Sequence, residues 1–476
     1  MDYWTYDATA LIEAYRAGHT DPVAVTDQLL ERIERINPQI NAFVATAPDC
    51  REQAEESAQR LRAGSPRGPL EGVPIAVKDS LRVTGMPASW GSRLFADGIC
   101  ESDELPVKRL REAGAIFIGK TNCPEFAVEG HTANALFGVT GNPWDPDLTP
   151  GGSSGGSVSA VAAGLAPVAI GTDGGGSIRR PAAYTGLFGL KPTIGCVPRD
   201  NGLPQLLLDF EVAGPLARSV RDCRLIHSVL AGPDRLDPRS RPLGGAACRA
   251  ESKEPGSGSL RILYVERFGD APCDPQIISS CGKAADNLRT LGHQVTSGEL
   301  PFDLGAFNRF WTNIAQVGLA RLAVEYPEMK DKAGQDYLDM AAKGAAVPAP
   351  TFAAGLQIIE RLRADVSRFF EHCDLIMLPA CAAMPWPAEQ AWPQRIDGEE
   401  VGPRGHAVYT GWVNGCGHPA VAVPAEPSVQ GMPIGFQLVG DLASEALLLS
   451  VAEVYESRFV GWTRWPALAD YSAEKG

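Results

Sequence analysis

The sequence predicts an α/β fold in which helices cover both faces of a largely parallel or mixed β-sheet. Short apolar runs bounded by turn residues recur along the chain, as buried strands do. Helical patterns lie between these runs, and 476 residues are enough to form a large core. The apolar runs lie at 73–77, 115–119, 166–171, 260–265, 374–378, 419–423 and 433–440.

The first clear element is a helix within residues 20–40, TDPVAVTDQLLERIERINPQI. Thr20 or Asp21 is the expected N-cap, because both side chains can accept a hydrogen bond from the first helical N–H groups, and Pro22 suits the first turn. We expect the helix to end at Pro38, since proline lacks the N–H that would continue it. The apolar residues on one face are Val25, Leu29, Ile33 and Ile36.

A later helix is predicted over residues 352–370, where the apolar side chains hold the helical spacing typical of ordinary core packing. Two other segments look irregular. Residues 232–259 are rich in Pro, Gly and Ser and connect an N-terminal block to a C-terminal block. Residues 379–405 are rich in proline and contain Trp386 and Trp392, which predicts a long loop over a pocket.

The composition argues against several classes of partner. A net charge of −14, from 43 basic and 57 acidic residues, leaves no basic block that could follow a nucleic-acid backbone. The N-terminus, MDYWTYDATA, lacks the positive and apolar regions of a signal peptide, and the longest apolar window, 158–171, is too short to span a bilayer. We therefore expect a cytoplasmic protein that binds neither nucleic acid nor membrane.

The cysteines point to a reducing compartment and not to a metal site. There are 11 of them, scattered without a CxxC pair or a close Cys/His cluster, which fits neither a disulfide framework nor a zinc site. The 7 histidines are equally dispersed, as surface or packed residues are. We therefore expect no metal and no cofactor.

The chemistry is expected within residues 151–177, GGSSGGSVSAVAAGLAPVAIGTDGGGS, where glycine and serine dominate and Asp173 is the only charge. The segment lacks GxxxxGK[ST] and GxGxxG, which excludes a P-loop and a dinucleotide fingerprint. GxSxG occurs in two registers, centred on Ser153 or Ser154, and in α/β-hydrolases this motif forms a strand-to-helix elbow. The preceding residues, 141–150, form a proline-rich turn region and no strand, so that context is missing.

Ser177 has the better setting for a nucleophile, because it follows a strand-like run and three glycines. Glycine allows positive φ and has no Cβ to obstruct a substrate. The N–H groups of Gly174, Gly175, Gly176 and Ser177 can then converge on a developing negative charge as an oxyanion hole. On these residues alone, a merely tight turn is the alternative.

A serine nucleophile needs a base, and no histidine lies near this region. Three lysines each follow an apolar run: Lys78, Lys120 and Lys191. A lysine can accept a proton only if burial lowers its pKa from about 10.4, and the end of an apolar strand can provide such burial. A structural donor to backbone carbonyls is the alternative role, and spacing does not choose among the three.

The chain resembles the amidase signature family. The matching stretches follow the family order over most of residues 5–457, and the block 71–192 is the most specific. The resemblance implies a Ser-cisSer-Lys triad in which Ser177 is the nucleophile, Ser153 the bridging serine and Lys78 the base. The stretches are LEGVPIAVKD, GAIFIGKTNCPEFA, GVTGNPWDP, TPGGSSGGSVSAVAAGLAPVAIGTDGGGSIRRPAAYTGLFGLKPT and PAVAVPAE with GMPIGFQLVGD.

The resemblance also implies supporting roles around the triad. The peptide bond Gly152–Ser153 would be cis, and Ser154 would supply supporting hydrogen bonds. Asp173 would orient the loop and the relay, with a simple turn-forming role as the alternative. Arg179 would be a structural arginine.

One position departs from the family pattern. Gly174 stands where relatives commonly have isoleucine, threonine or valine. The extra glycine loosens the loop by about 0.5–1 kcal/mol of backbone entropy relative to alanine and alters the pocket beside the oxyanion hole. It keeps the N–H donor.

The fold implied by the resemblance is a single α/β/α layered domain around a large mixed β-sheet, over residues 1–476. Within it, 71–192 form the signature core and 232–259 an internal surface loop. Residues 260–476 form a C-terminal part that contributes to the substrate pocket.

The implied function is that of an amidase, a hydrolase that cleaves the carbon–nitrogen bond of small linear amides through a serine acyl-enzyme. Cleavage of carbamates, ureas or esters at the same site, and a non-catalytic binding protein of the same fold, are the alternatives. The amidotransferase that converts glutamyl-tRNA to glutaminyl-tRNA has a catalytic subunit of this family, and that role is disfavoured because the segment GHAVY before Thr410 lacks an acid. The oligomeric state is left open, with a homodimer as one alternative.

An aromatic and apolar set is expected in the pocket, which favours an uncharged amide or an aryl-bearing substrate. Ordinary packing is the alternative role for these side chains. The candidates are Cys123, Phe126, Trp311, Trp392, Tyr409 and Trp412.

Overall fold

The computed structural model describes residues 2–242, 258–461, 465–466 and 468, and these contain fourteen α-helices. The helices are α1 (Ala8–Arg16), α2 (Pro22–Ile40), α3 (Cys50–Arg62), α4 (Leu105–Glu112), α5 (Gly155–Ala162), α6 (Arg179–Thr185), α7 (Val220–Leu230), α8 (Pro275–Thr290), α9 (Gly305–Glu325), α10 (Met329–Lys332), α11 (Gln335–Ala345), α12 (Ala349–Phe369), α13 (Gly411–Cys416) and α14 (Glu445–Phe459).

The strands of the described residues form one large sheet and two small hairpins. They are β1 (Phe43–Thr46), β2 (Pro74–Lys78), β3 (Ile116–Thr121), β4 (Ala133–Asn134), β5 (Gly138–Val139), β6 (Val168–Asp173), β7 (Phe188–Lys191), β8 (Val212–Ala217), β9 (Arg261–Tyr264), β10 (Gln294–Ser297), β11 (Leu375–Pro379), β12 (Arg395–Ile396), β13 (Glu399–Glu400), β14 (Ala420–Pro424) and β15 (Gly435–Gly440).

The large sheet has 11 strands in the order β1-β3-β2-β6-β8-β7-β14-β15-β11-β9-β10. Strands β3, β2 and β6 are mutually parallel, as are β11, β9 and β10, whereas the strands between these two groups pair antiparallel. The predicted α/β fold with a large mixed sheet is therefore confirmed. All seven apolar runs form strands of this sheet.

The central strands place the glycine-rich segment in the middle of the molecule. Every residue of β2, β6 and β8 is buried, as expected for strands that helices cover on both faces. One hydrophobic cluster draws its buried residues from positions as far apart as Ala8 and Tyr455. The turn after β6 is thus built on a rigid, fully packed support.

The early helix differs from its prediction at one end. Asp21 is the N-cap, with Oδ1 accepting from the N–H of Ala24 at 3.0 Å. The predicted stop at Pro38 is wrong, because α2 continues to Ile40 and ends at Asn41 in the left-handed conformation. Pro38 lies in the last turn, where it removes only one helical hydrogen bond.

The two irregular segments have different outcomes. Residues 379–405 hold only the β12–β13 hairpin, and part of them lines a cavity described below. The connector 232–259 is described only to residue 242, which includes one short helical turn, and from residue 258; residues 243–257 lie outside the described residues. In the described ranges, we find no helix with both the length and the apolarity needed to cross a membrane.

Candidate active site

Ser177 lies in the turn between β6 and α6, at the carboxyl end of a buried strand. The turn needs glycine at Gly176, whose φ of 115° disfavours any residue with a Cβ. Ser177 is 6% exposed and lines a narrow pocket of about 30 Å³. Its hydroxyl makes no hydrogen bond with the described part of the chain, so Oγ is available to a ligand.

Lys78 ends β2, the strand next to β6, and its side chain is completely buried. Nζ lies 2.7 Å from Ser153 Oγ and 2.9 Å from Thr172 Oγ1. No described carboxylate lies within 4 Å of Nζ, so hydroxyl groups are its hydrogen-bonding partners. Burial lowers the pKa of Lys78 to about 8.

The other two lysines have different surroundings. Lys120 forms an ion pair with Asp79 at 3.2 Å and donates to two backbone carbonyls, at 2.7 and 2.8 Å. Lys191 donates to the carbonyl of Pro192 at 2.9 Å, and burial lowers its pKa to about 7. Among the three lysines that the sequence left open, only Lys78 is hydrogen-bonded to a serine of the glycine-rich segment.

The segment before α5 brings Ser153 and Ser154 next to the Ser177 turn. The peptide bond Gly152–Ser153 is cis, as the family resemblance implied. The N–H of Ser154 donates to the carbonyl of Ser177 at 3.2 Å, and its hydroxyl donates to the carbonyl of Thr172. The described structure has no hydrogen bond between the Ser153 and Ser177 hydroxyls. No strand immediately precedes this serine pair, so an α/β-hydrolase elbow is absent here.

Asp173 and Arg179 form a completely buried, two-pronged ion pair, with N–O distances of 3.0 Å on both sides. The Asp173 carboxylate also accepts the N–H groups of Gly176, at 2.7 Å, and Ile178, at 3.1 Å. Burial alone would raise the pKa of Asp173, but the charge and hydrogen bonds of Arg179 hold it well below its ordinary value. An ionised Asp173 therefore fixes the turn.

The expected oxyanion donors need one correction on geometry. The N–H of Gly176 is already donated to Asp173, so it does not point freely into the pocket. The N–H groups of Gly174, Gly175 and Ser177 have no acceptor in the described ranges. The set of four predicted donors is therefore reduced to three that can receive an oxyanion.

The opposite side of the turn is held by residues that sequence reasoning missed. The carbonyl of Gly175 accepts from Thr410 Oγ1 at 2.7 Å and from Arg180 Nη1, and Arg180 Nη1 also donates to Thr410 Oγ1 at 2.9 Å. Asn414 Nδ2 donates to the Asp173 carbonyl at 2.9 Å. The peptide group between Gly175 and Gly176 is thus hydrogen-bonded at both its carbonyl and its N–H.

A cavity of about 810 Å³ adjoins the Ser177 pocket, since the two share Val128, Glu129, Gly175, Trp311 and Arg404 as lining residues. Both aromatic and charged side chains form its wall. The charged ones are Glu129, Asp336, Asp339, Lys343 and Arg404. The expectation of an apolar, uncharged pocket therefore covers only part of this wall.

The predicted pocket residues fall into two groups. Trp311 lines both the Ser177 pocket and the larger cavity, and Trp392 lines the larger one. The other four are buried and line neither space: Cys123 and Phe126 lie in a satellite hydrophobic cluster, Tyr409 packs on Phe268, and Trp412 packs on Phe302.

The described residues contain one group of possible metal ligands. Ligand atoms of Cys196, His227 and Glu445 lie within 4.8 Å of one another, and all three residues are buried. The group includes none of the predicted site residues. Spacing in the sequence does not reveal it, because three separate elements contribute one residue each.

Comparison with known proteins extends over nearly the whole chain. The family model described as Amidase matches residues 24–449. The A-type subunit of the glutamyl-tRNA(Gln) amidotransferase of Symbiobacterium thermophilum is 34% identical over 489 residues, which cover 97% of this chain and 99% of that protein. An acylamidase of Rhodococcus erythropolis is 33% identical over 466 residues, 94% of each chain.

Solved structures show the same likeness in three dimensions. The structure of 6-aminohexanoate cyclic dimer hydrolase complexed with substrate matches with a TM-score of 0.88 and 30% identity. The match covers 98% of this chain and 100% of that one. Both fold and sequence are therefore shared along almost the full length.

Proposed function

The chain belongs to the amidase signature family, whose members act on carbon–nitrogen bonds, and from that premise we propose that it hydrolyses small linear amides through an acyl-enzyme at Ser177. The observation that carries the proposal is the 2.7 Å hydrogen bond between Lys78 Nζ and Ser153 Oγ, in a buried site without a carboxylate near the amine. A buried amine whose pKa is about 8 can be neutral and so accept a proton near neutral pH.

The nucleophile is activated in two proton transfers. Neutral Lys78 accepts a proton from the Ser153 hydroxyl, which accepts one from Ser177, and Ser177 Oγ then attacks the substrate carbonyl. The backbone contact between Ser154 and Ser177 keeps the two loops adjacent. Catalytic hydrogen bonds often tighten only when substrate binds, so we expect the Ser177 and Ser153 hydroxyls to meet in the complex.

The negative charge of the tetrahedral intermediate falls on the N–H groups of Gly174, Gly175 and Ser177. These donors need no reorganisation during the reaction, because Asp173 and Thr410 already hold the turn from both sides. The leaving amine takes a proton back along the relay. Water then hydrolyses the acyl-enzyme by the same steps in reverse order.

A second candidate function follows from the relatives that belong to glutamyl-tRNA(Gln) amidotransferases. We disfavour it here because the segment 405–408, which lines the larger cavity, carries no acid to recognise an amino-acid substrate. Carbamate, urea and ester cleavage use the same nucleophile and remain alternatives at this site. A non-catalytic binding protein would have no chemical need for the buried Lys78–Ser153 contact.

Turnover of a substrate panel tests the proposal. Linear amides, anilides, carbamates, ureas and esters are compared on the purified chain, with Ser177→Ala as the matched variant. We expect amides or anilides to be hydrolysed and the variant to lose at least about 10³-fold in kcat, as removal of a nucleophile does. Equal turnover by wild type and Ser177→Ala would overturn the proposal.

A further inference from the structure

Two arginines on the wall of the Ser177 pocket have hydrogen-bonding capacity that the described residues do not use. Arg180 is 2% exposed, yet its Nε is buried without an acceptor. Its Nη2 makes only a long contact of 3.4 Å to the Gly152 carbonyl. Arg404 lines both spaces, and its guanidinium forms no hydrogen bond or ion pair with any part of the chain that the structure describes.

A buried donor without an acceptor is costly, and each such group in a native protein needs an explanation. A guanidinium presents donors in a planar fork that matches a carboxylate. Arg180 and Arg404 line the same pocket as Ser177. A carboxylate bound there would satisfy both arginines while its amide lies at the nucleophile.

The other titratable groups around this pocket do not cancel the positive charge. Burial lowers the pKa of His131 to about 4 and, together with Arg180 and Arg404, holds the pKa of His406 well below its usual value, so both rings are neutral. Glu129 is the one opposing carboxylate of the described pocket lining, and burial raises its pKa. Two guanidinium groups thus face one carboxylate beside Ser177.

The larger cavity is closer to balanced, because it adds Asp336, Asp339 and Lys343. The excess of positive charge is therefore local to Ser177. A negative group close to the scissile amide is favoured there, whereas the outer wall has no such preference.

We propose that the substrate is an amide that carries a carboxylate, bound by Arg180 and Arg404 beside Ser177. The inference rests on the proposed amidase function and specifies its substrate class. It replaces the uncharged substrate expected from the sequence. A site built to pair with a charged group rejects an analogue that lacks the group, because its own polar atoms are then left unpaired.

Two substrate pairs that differ only by carboxylate against methyl test the proposal. Succinanilic acid and butyranilide place the difference on the acyl side, and N-butyrylglycine and N-ethylbutyramide place it on the amine side. In at least one pair we expect kcat/KM to be at least about tenfold higher for the acid, the effect of a charge-assisted hydrogen bond. Preference for the uncharged member of both pairs would overturn the proposal.

Two variants separate charge recognition from support of the turn. Arg404→Gln removes the charge and no described hydrogen bond, so it should reduce the preference for the acid about tenfold through KM. Thr410→Val removes the contact to the Gly175 carbonyl but no charge, so it should lower kcat for both members of a pair alike. An unchanged preference in both Arg404→Gln and Arg180→Gln would contradict the proposal.

A binding measurement keeps this test separate from the test of catalysis. Ser177→Ala, which cannot turn over, is heated with each member of the preferred pair. We expect the acid alone to raise Tm, and Arg404→Gln in the same background to lose that shift. If neutral amides are hydrolysed in a Ser177-dependent way while no acid is preferred or bound, the amidase function stands and the carboxylate site fails.

Discussion

At the scale of single residues, two buried lysines show how surroundings decide the role of one side chain. Lys120 has a carboxylate partner and two carbonyls, which favour a charged structural amine. Lys78 has two hydroxyl groups instead. The sequence alone could not separate them, because each simply ends an apolar strand and the partners come from distant parts of the chain.

The pH dependence follows from the lowered pKa of Lys78, about 8. Protonated Lys78 cannot accept a proton, so kcat/KM should rise about tenfold per pH unit below that pKa and level off above it. A pH profile on a substrate without ionisable groups measures this. A profile that is flat between about pH 6 and 8 would contradict the role of Lys78 as base.

Substitution of the two lysines by methionine should separate activity from stability. Lys78→Met should lower kcat/KM by at least about 10²-fold, since it removes a general base. Lys120→Met leaves Asp79 as an uncompensated buried charge, so it should reduce the free energy of unfolding by about 3–5 kcal/mol. Denaturant unfolding and kinetics of both variants check this, and reversed effects would refute it.

At the scale of elements, the turn between β6 and α6 contains three glycines in unlike surroundings. A Cβ at Gly174 would meet Leu207 Cδ1, the mobile end of a side chain that lines the Ser177 pocket. A Cβ at Gly176 would meet Thr410 and Arg180, which hold the turn, and its φ of 115° is unsuited to alanine. Leu207 thus occupies space left by the glycine that departs from the family pattern.

Alanine at these two positions should therefore have different effects. Gly174→Ala should change the free energy of unfolding by less than about 1 kcal/mol and alter KM, because Leu207 can rotate into the pocket. Gly176→Ala should cost at least about 2 kcal/mol and most of kcat, because the backbone and the donors shift. Similar unfolding curves for both variants would show that this description of the turn is wrong.

Sequence patterns predicted strands well where apolar residues are continuous. They missed β8, whose Gly214 and Pro215 are typical of turns, although both lie in the middle of the sheet. They also missed β10, because its edge position leaves polar residues such as Gln294 exposed. Packing of whole elements, and not local preference, decides these cases.

At the scale of the whole molecule, the site combines parts that are far apart in sequence. The motif block supplies Lys78, Ser153 and Ser177, which family resemblance could identify. Thr410 and Arg404 come from the C-terminal half, and no local pattern links them to the turn. We propose that residues 1–476 form a single domain with 71–192 as its core, since one hydrophobic cluster includes residues of both halves.

The complete set of site residues lies within one chain, so hydrolysis should need no partner protein. We expect the chain purified alone to hydrolyse amides, with kcat/KM independent of enzyme concentration after dilution. Turnover that appears only after other proteins are added would favour the amidotransferase alternative. Size-exclusion chromatography of the active fraction identifies the species responsible.

Labelling with a fluorophosphonate probe tests the central claim most directly, because the probe bonds only to an activated serine and needs no knowledge of the substrate. Intact-protein and peptide mass spectrometry should find one label per chain, located on Ser177. Ser177→Ala and Lys78→Met should remain unlabelled while keeping native circular dichroism. A label on Ser153 or Ser154, or an unlabelled wild type that is fully folded, would contradict the claim.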